Sequence, residues 1–214
     1  MMLDALLICA SLLVAMSRGP TDEELVRRFN DGDREAYSEL VRRYQDRIFT
    51  LCLRWMRDRQ IAEEVAQDVF IAVYRALPRF RGEARFSTWI FRVATNHCKN
   101  RRLYRQRRHS DRHEPLEGTP REDGPARQLP SAAPGTDRST MRSEAERILQ
   151  EALDTLDESH RSIIILRDIE DLAYEEIAEI LDLPRGTVKS RLHRARAQLA
   201  RTLARHINKE DVFE

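Results

Sequence analysis

The sequence is poor in aromatic residues, cysteine and glycine, and each shortage excludes a class of protein. Phe, Trp and Tyr make up 7% of the 214 residues, and there are only 7 Gly. This is too little glycine for a collagen-like chain. Cys9, Cys52 and Cys98 lie far apart, which excludes a disulfide framework and a closely spaced cysteine metal cluster. The bias towards Leu, Ala, Arg and Glu instead favours helices.

Motifs that mark common enzyme sites are also missing. The sequence contains no glycine-rich phosphate loop, no nucleophile elbow and no HExxH metal motif. His109 and His113 are four residues apart, but they lie in or beside a predicted linker without a neighbouring cysteine. We therefore expect no catalytic residues, no metal, no cofactor and no small-molecule substrate.

A formal net charge of +1 hides two strongly basic blocks. Residues 75–108 carry 11 basic residues and 1 acidic residue, and residues 185–207 carry 7 basic residues and no acidic one. Residues 144–184, in contrast, carry 13 acidic and 3 basic residues. Two distant basic blocks indicate a protein that holds nucleic-acid phosphates at two places. The alternative is that each block forms the solvated face of a helix.

The first residues form an uncharged run from Ala5 to Met16. A membrane-spanning helix needs about 20 apolar residues, so this run is too short. Asp4 is the only charge before it, which does not fit the basic start of a secretory signal. We treat residues 1–18 as a hydrophobic leader and expect the functional chain to begin near Met16. A short helix that touches a membrane or packs on the core is the alternative.

The pattern of residues 19–107 predicts a unit of four helices. Thr21 and Glu24 have the spacing of a capping box and open a short first helix. Apolar residues recur at helical spacing over the next three segments, 34–57, 61–76 and 88–107. We expect Pro78 to end the third helix and Ser87 to cap the fourth.

Residues 108–142 differ in composition from the rest and are predicted to be a flexible linker. Five of the 8 Pro and three of the 7 Gly lie there. A flexible chain of that length has an end-to-end distance of about 30 Å and reaches further when stretched. Residues 143–208 return to helical spacing, with Asp157 as a cap, and residues 209–214 form a tail. We therefore expect an all-α fold of two small helical domains joined by a flexible linker.

Within the second domain, residues 172–199 predict a helix-turn-helix. Pro184 and Gly186 set the turn between two helices, and Thr187 is a candidate N-cap of the second. That helix buries Val188 and its helical neighbours and exposes basic residues near its start, where a recognition helix meets the major groove. The alternative is an ordinary helical hairpin with a solvated basic face.

Two longer motif sets make the interpretation specific. Residues 61–77 (IAEEVAQDVFIAVYRAL), 80–92 (FRGEARFSTWIFR) and 93–102 (VATNHCKNRR) closely resemble region 2 of bacterial extracytoplasmic-function (ECF) sigma factors. Residues 155–199, from TLDESHRSI to LHRARAQL, resemble region 4 of the same family. Both sets occur in the expected order, and the resemblance covers about residues 20–207.

The resemblance implies a detachable subunit of RNA polymerase that directs promoter-specific transcription initiation. It implies that region 2 docks on the clamp helices of the polymerase β′ subunit and that region 4 contacts the β flap. The candidate docking residues lie on the helix over 61–76 and are Glu63, Glu64, Gln67, Asp68 and Phe70. An acidic face with one apolar anchor suits a basic partner surface. Without the resemblance, a solvated helix face would be the simpler interpretation.

The resemblance also assigns residues to promoter DNA. Region 2 is expected to recognise and melt the minus-ten element through Arg81, Phe86, Ser87, Thr88, Trp89, Arg92, Asn96, Lys99, Asn100 and Arg101. Phe86 and Trp89 have core packing as their alternative role. Region 4 is expected to read the minus-thirty-five element through Arg185, Thr187, Lys189, Ser190, His193, Arg194 and Arg196. Arg and Lys side chains pair with guanine, and Ser and His serve bases or phosphates.

The family further implies a cytoplasmic protein that is not an enzyme and that is held in check by an anti-sigma factor, in some cases at the membrane. The sequence departs from the family pattern in its leader, in its long linker and at Ala173, where a Ser commonly caps a helix. Asp171 is a candidate substitute for that cap. The rival function is a stand-alone DNA-binding regulator that dimerises through its N-terminal helices. Binding to the polymerase core distinguishes the two.

Overall fold

The computed structural model describes residues 19–111 and 136–210, and these residues form helices and short connections without any strand. The helices are α1 (Asp22–Asn30), α2 (Arg34–Met56), α3 (Arg59–Ala76), α4 (Phe86–Asp111), α5 (Thr136–Asp154), α6 (Glu158–Ile164), α7 (Tyr174–Leu181) and α8 (Arg185–Glu210). A 3-10 turn (Leu77–Arg79) follows α3, and a π-helical turn (Ile165–Ile169) follows α6. Helices α1–α4 form the N-terminal domain and α5–α8 the C-terminal domain, so the predicted all-α class is confirmed. The predicted leader and the middle of the predicted linker lie outside the described residues.

Side chains cap four of the described helices, at the predicted Thr21 and Asp157 and also at Asp33 and Asp58, which were not predicted. The Thr21 hydroxyl accepts a hydrogen bond from the Glu24 backbone N–H at 3.2 Å, and the Glu24 carboxylate accepts one from the Thr21 N–H at 2.8 Å. The capping box is therefore confirmed. Asp58 caps α3, and Asp157 caps α6 by accepting from the His160 N–H at 2.9 Å. Each such cap contributes about 1 kcal/mol to stability.

Two other predicted caps are wrong, because their helices begin earlier. Helix α4 begins at Phe86, so Ser87 lies inside its first turn. Helix α8 begins at Arg185, and the Val188 N–H donates to the Pro184 carbonyl at 3.1 Å, which places Thr187 inside the first turn as well. A hydroxyl residue within the first helical turn has the same sequence signature as a cap, and only the backbone hydrogen bonds separate the two.

The helices on both sides of the predicted linker extend further into it than the sequence pattern indicated. Helix α4 extends past the predicted end at residue 107 to Asp111, and α5 begins at Thr136 instead of Ser143. The added turns lack an apolar stripe, and several of their residues are Ser, Thr or Asp, which favour helices only weakly. Periodicity therefore missed them.

Each domain has apolar side chains packed between its helices. In the N-terminal domain, α2, α3 and α4 share a core with fully buried Ile48, Val69 and Phe91. The sulfur atoms of Cys52 and Cys98 lie 3.7 Å apart in that core, and burial raises the pKa of the Cys98 thiol. Both thiols are packed core groups, as expected for cysteines on apolar helix faces.

The C-terminal domain contains a buried arginine that the sequence analysis did not single out. The Arg161 side chain is completely buried, its Nε donates to the Leu153 carbonyl at 3.0 Å, and its Nη1 lies 3.0 Å from the Asp154 carboxylate. These bonds join the end of α5 to α6. Since a buried guanidinium without partners is very costly, Arg161 and its acceptors form one structural unit.

The two domains pack against each other. Helix α7 lies along α4, and the π-helical turn lies against α2. Apolar side chains of both domains belong to one continuous buried cluster.

Candidate polymerase and nucleic-acid interfaces

The predicted docking residues lie mostly on the outer face of α3. The side chains of Glu63, Glu64, Gln67 and Asp68 are exposed, while Val65 and Val69 on the opposite face are buried. The helix period separates the two sets, as an amphipathic surface helix requires. The result is an open surface that combines negative charge with an amide.

The apolar part of this face differs from the prediction. Phe70 is half-buried against the core, and its carbonyl accepts a hydrogen bond from the Tyr37 hydroxyl at 2.6 Å. Ile71 is 49% exposed and lies one turn beyond Gln67 and Asp68, and Tyr74 is 42% exposed. The sequence analysis missed Ile71. Residues two apart on a helix lie on nearly opposite faces, so the position of Ile71 relative to the buried Val69 already indicated that Ile71 faces outward.

The loop before α4 and the start of α4 correct two of the minus-ten predictions. Phe86 is completely buried, with its ring centroid 5.4 Å from that of Tyr44 and 5.9 Å from that of Trp89. Thr88 is only 2% exposed. A ring held in the core cannot stack on a base, so the assignment of Phe86 to DNA is wrong, and Thr88 is closed to DNA in this arrangement. Core packing, the alternative role given to Phe86, is confirmed.

The remaining residues of that segment reach the surface. Trp89 is half-buried beside Phe80, with ring centroids 4.9 Å apart. Arg81 is exposed and Ser87 is partly exposed. One partly exposed indole ring and two polar side chains therefore border the same loop.

The outer face of α4 is basic, and three of its cations have acceptors. Arg92 donates to the Glu179 carbonyl at the end of α7, Lys99 lies 3.8 Å from the Glu158 carboxylate, and Arg101 pairs with Glu64 at 2.6 Å. The last of these pairs joins a predicted DNA residue to a predicted docking residue. Asn96 and Asn100 are exposed on the same helix.

The outer face of α8 is more open. Lys189, Ser190, His193 and Arg194 are exposed, and Thr187 is partly exposed. Val188, Leu192 and Ala195 on the opposite side are buried in the domain. The predicted separation of a buried stripe from a basic face is therefore confirmed.

Two arginines of this helix are engaged by acidic neighbours. Arg185 pairs with Glu175 at 2.7 Å, and Arg196 donates two hydrogen bonds to Asp168. These pairs hold the two guanidinium groups at the borders of the exposed face. Exposed ion pairs of this kind contribute little to stability, so their main effect is to limit side-chain freedom.

The first helix of the helix-turn-helix has half of a capping box. Ala173 occupies the N-cap position without a side-chain acceptor, but its backbone N–H donates to the Glu176 carboxylate at 2.8 Å. The proposed substitute, Asp171, does not cap this helix. It has a left-handed φ of 52°, and its carboxylate lies 3.2 Å from Arg167.

Within residues 19–111 and 136–210, no helix is both long and apolar enough to cross a membrane. No group of three or more His, Cys, Asp or Glu side chains with metal-site geometry occurs among the same residues.

Comparisons with known proteins agree with the two-domain division. The family model of sigma-70 region 2 matches residues 40–108, and that of sigma-70 region 4 matches residues 146–199. The chain is 38% identical over 182 residues to the RNA polymerase sigma-H factor of Pseudomonas aeruginosa, over 85% of this chain and 93% of that protein. Identity and coverage are the same for the ECF RNA polymerase sigma-E factor of Escherichia coli K12. The solved structure of CnrH in complex with the cytosolic domain of CnrY is similar, with a TM-score of 0.63 and 25% identity over 86% of this chain and 97% of that one. From its two domains, their order and these relatives, the chain belongs to the extracytoplasmic-function sigma factors of RNA polymerase.

Proposed function

We propose that this sigma factor divides promoter recognition between α8 and α4 and uses the outer face of α3 to bind the polymerase core. The observation that carries the proposal is the exposed cationic start of α8, whose opposite face is anchored in a region 4 domain. As a member of its family, the protein binds the polymerase core and directs it to specific promoters. The residue roles below are our assignments.

Helix α8 is the reader of the minus-thirty-five element. A recognition helix places its first turns in the major groove, where Lys and Arg bond to guanine O6 and N7. Lys189 and Arg194 are the exposed cations in those turns, and Ser190 and His193 lie beside them. The paired arginines at the borders, Arg185 and Arg196, together with Thr187, suit contacts to phosphates, which set the position of the helix.

The start of α4 and the loop before it separate the strands at the minus-ten element. Trp89 is partly exposed, and stacking of an unpaired base on an aromatic ring contributes about 1–3 kcal/mol. Arg81 and Ser87 border the ring and suit the edge of a flipped base. The polar face of α4, with Arg92, Asn96, Lys99, Asn100 and Arg101, suits the backbone of the single strand.

The polymerase contact is assigned to α3. Its acidic and amide side chains complement a basic surface such as the β′ clamp helices, and Ile71 is better exposed than Phe70 as an apolar anchor. We assign the β flap to the C-terminal domain. In this scheme the polymerase forms the phosphodiester bonds, and this chain contributes binding and strand separation in the cytoplasm.

A protein regulator completes the proposal. CnrH, which has the same fold, was solved with the cytosolic domain of CnrY bound to it. We propose that an anti-sigma factor covers the docking and DNA surfaces of this chain. The exposed apolar residues Ile71 and Tyr74 on α3 are suitable contacts.

Reconstitution with polymerase core tests the core-binding assignment. We expect the wild-type chain to co-elute with core and to support transcription from a cognate promoter. Asp68→Arg, which reverses one exposed charge on α3, should abolish co-elution and leave the circular dichroism spectrum unchanged. Glu35→Arg, an exposed charge on α2, is the control and should bind core normally. A wild-type chain that ignores core and protects a palindromic duplex by itself would instead be a stand-alone regulator.

A further inference from the structure

We propose that the free protein rests in a closed state in which its own C-terminal domain occupies Arg92 and Lys99 on the minus-ten face of α4 and competes with single-stranded DNA for them. The inference rests on the proposed function of α4. It adds an intramolecular control that acts before any separate regulator binds.

The closed state has a central contact between Arg47 on α2 and Glu170 after the π-helical turn. Arg47 Nε lies 3.0 Å from the Glu170 carboxylate, and Arg47 Nη2 donates to the Glu170 carbonyl at 2.9 Å. The Glu170 side chain is only 4% exposed, so it is desolvated by the contact. Burial raises the pKa of this carboxyl, and the arginine opposes that rise. Because a buried carboxylate without its cation is costly, Arg47 is needed for closure.

A second contact lies on the minus-ten face itself. Arg92 donates to the carbonyl of Glu179, which lies in the last turn of α7. The carbonyl end of a helix carries partial negative charge, so a guanidinium is favoured there. The bond occupies a side chain that we assign to the DNA backbone. In the closed state, the end of α7 therefore occupies a position on α4 that we assign to the DNA backbone.

Other polar contacts extend the interface on both sides. Arg57 at the end of α2 pairs with Asp154 at the end of α5, and Gln150 donates to the Arg54 carbonyl at 3.0 Å. Lys99 on α4 approaches Glu158 on α6. The contacts thus run from the end of α2 to the middle of α4, and the apolar cluster continues beneath them.

In the closed state, an acidic segment of the C-terminal domain lies against the basic α4, which is also where we assign the negatively charged nucleic acid. The basic block over 75–108 includes most of α4, and the acidic segment over 144–184 supplies α6, the π-helical turn and α7. Since both belong to one chain, the acidic surface is present at high effective concentration. Single-stranded DNA binds to α4 only in molecules that have opened.

A zero-length cross-link measures closure directly in the full-length wild-type chain. A carbodiimide joins a lysine amine to a carboxylate in contact with it, and the chain has only three lysines, Lys99, Lys189 and Lys209. We expect mass spectrometry to find the Lys99–Glu158 cross-link in the free protein. Its yield should fall when single-stranded DNA of about 12 nucleotides is added. A free protein without this cross-link, or a yield that DNA does not change, overturns the proposal.

Arg47→Glu is the variant that opens the domains. It places two carboxylates against each other and should remove the cross-link while the circular dichroism spectrum stays unchanged. Arg42→Glu is the matched control, because Arg42 lies on the same helix, is 66% exposed and pairs only with Glu39 among the ion pairs of the described residues. The control should keep the cross-link.

Binding of the same single-stranded oligonucleotide, now carrying a label, distinguishes the effect of domain opening from the effect of the lost positive charge. Both variants replace one positive side chain by a negative one, and this change in charge by itself weakens binding to phosphates. If about nine in ten wild-type molecules are closed, Arg47→Glu should bind the oligonucleotide about tenfold more tightly than wild type, whereas Arg42→Glu should bind no more tightly. Equal or weaker binding by an opened Arg47→Glu overturns the inhibitory role. Failure of the proposed function is recognised separately, because a chain that does not bind polymerase core can still show the cross-link.

Discussion

Helices α4 and α8 are both long, basic and assigned to promoter DNA, yet their cations are in different states. On α4, Arg92, Lys99 and Arg101 each have an acceptor, and two of the three acceptors belong to the other domain. On α8, Lys189 and Arg194 are exposed and form no ion pair among the described residues, and the Arg194 Nε donates only to the Ser190 carbonyl of its own helix, at 3.4 Å. The comparison shows that two segments of similar charge differ in how free their cations are, because the fold places acceptors of the other domain against α4.

The largest expected effect comes from removing the support of α8 without touching its surface. Arg161→Ala deletes a completely buried side chain and the donor to the Leu153 carbonyl, and leaves Asp154 with Arg57 as its remaining cation, which should cost about 2–5 kcal/mol of stability. Chemical denaturation followed by circular dichroism measures it. Arg201→Ala, an exposed site on α8, should change stability by less than about 0.5 kcal/mol. Equal stability of the two variants would contradict a structural role for Arg161.

A smaller effect is expected from the exposed cations of α8. Lys189→Ala or Arg194→Ala should weaken recognition of the cognate minus-thirty-five element by about 1–3 kcal/mol if the side chain bonds to a guanine. Transcription by reconstituted holoenzyme from the cognate promoter and from single-base variants measures this discrimination. A uniform loss on all promoters would assign these side chains to phosphates. Arg205→Ala, exposed near the far end of α8, is the control and should leave the pattern unchanged.

On α4, Arg92→Ala should act through the DNA backbone. Loss of one phosphate contact is expected to lower the salt dependence of open-complex formation by about one unit of slope, without a change in base preference. Open complexes counted at several salt concentrations give that slope. Arg79→Ala, exposed on the 3-10 turn, should keep the wild-type slope. A changed base preference would mean that Arg92 reads the sequence.

The smallest effect is expected at the half-formed cap of α7. Ala173→Ser supplies the missing acceptor at the N-cap and should stabilise the chain by about 1 kcal/mol. The stabilisation should appear as a higher denaturant midpoint with an unchanged slope. Asp171→Ser, next to the turn but outside the cap, should not reproduce it.

Patterns within one helix were predictable from the sequence. Thr21 and Asp157 were recognised as caps because the backbone N–H groups that donate to their side chains lie only three residues away. The buried stripe of α8, with Val188 and Leu192, followed from a period of 3.6 residues. Helix starts were less secure, as Ser87 and Thr187 show, because backbone carbonyls of preceding residues can begin a helix without a side-chain cap.

Side-chain roles that depend on distant residues were not predictable. Phe86 looked like a base-stacking group in a basic loop, but Tyr44, far away in sequence, packs against it in the core. Ile71 was overlooked because its exposure depends on what surrounds α3. Arg161 was overlooked because a basic residue in a mixed helix gives no local sign that it is buried.

The helical class of this chain, its division into two basic segments and an acidic one, and the resemblance of those segments to sigma-factor regions were all readable in the sequence. These properties follow from residue type and from spacing along one helix. The contact of Glu170 with Arg47, the packing of α7 on α4 and the exposure of Lys189 and Arg194 on α8 became known only from the folded chain. Those contacts join residues far apart in the chain, and their strength depends on burial, which arises only when the domains pack.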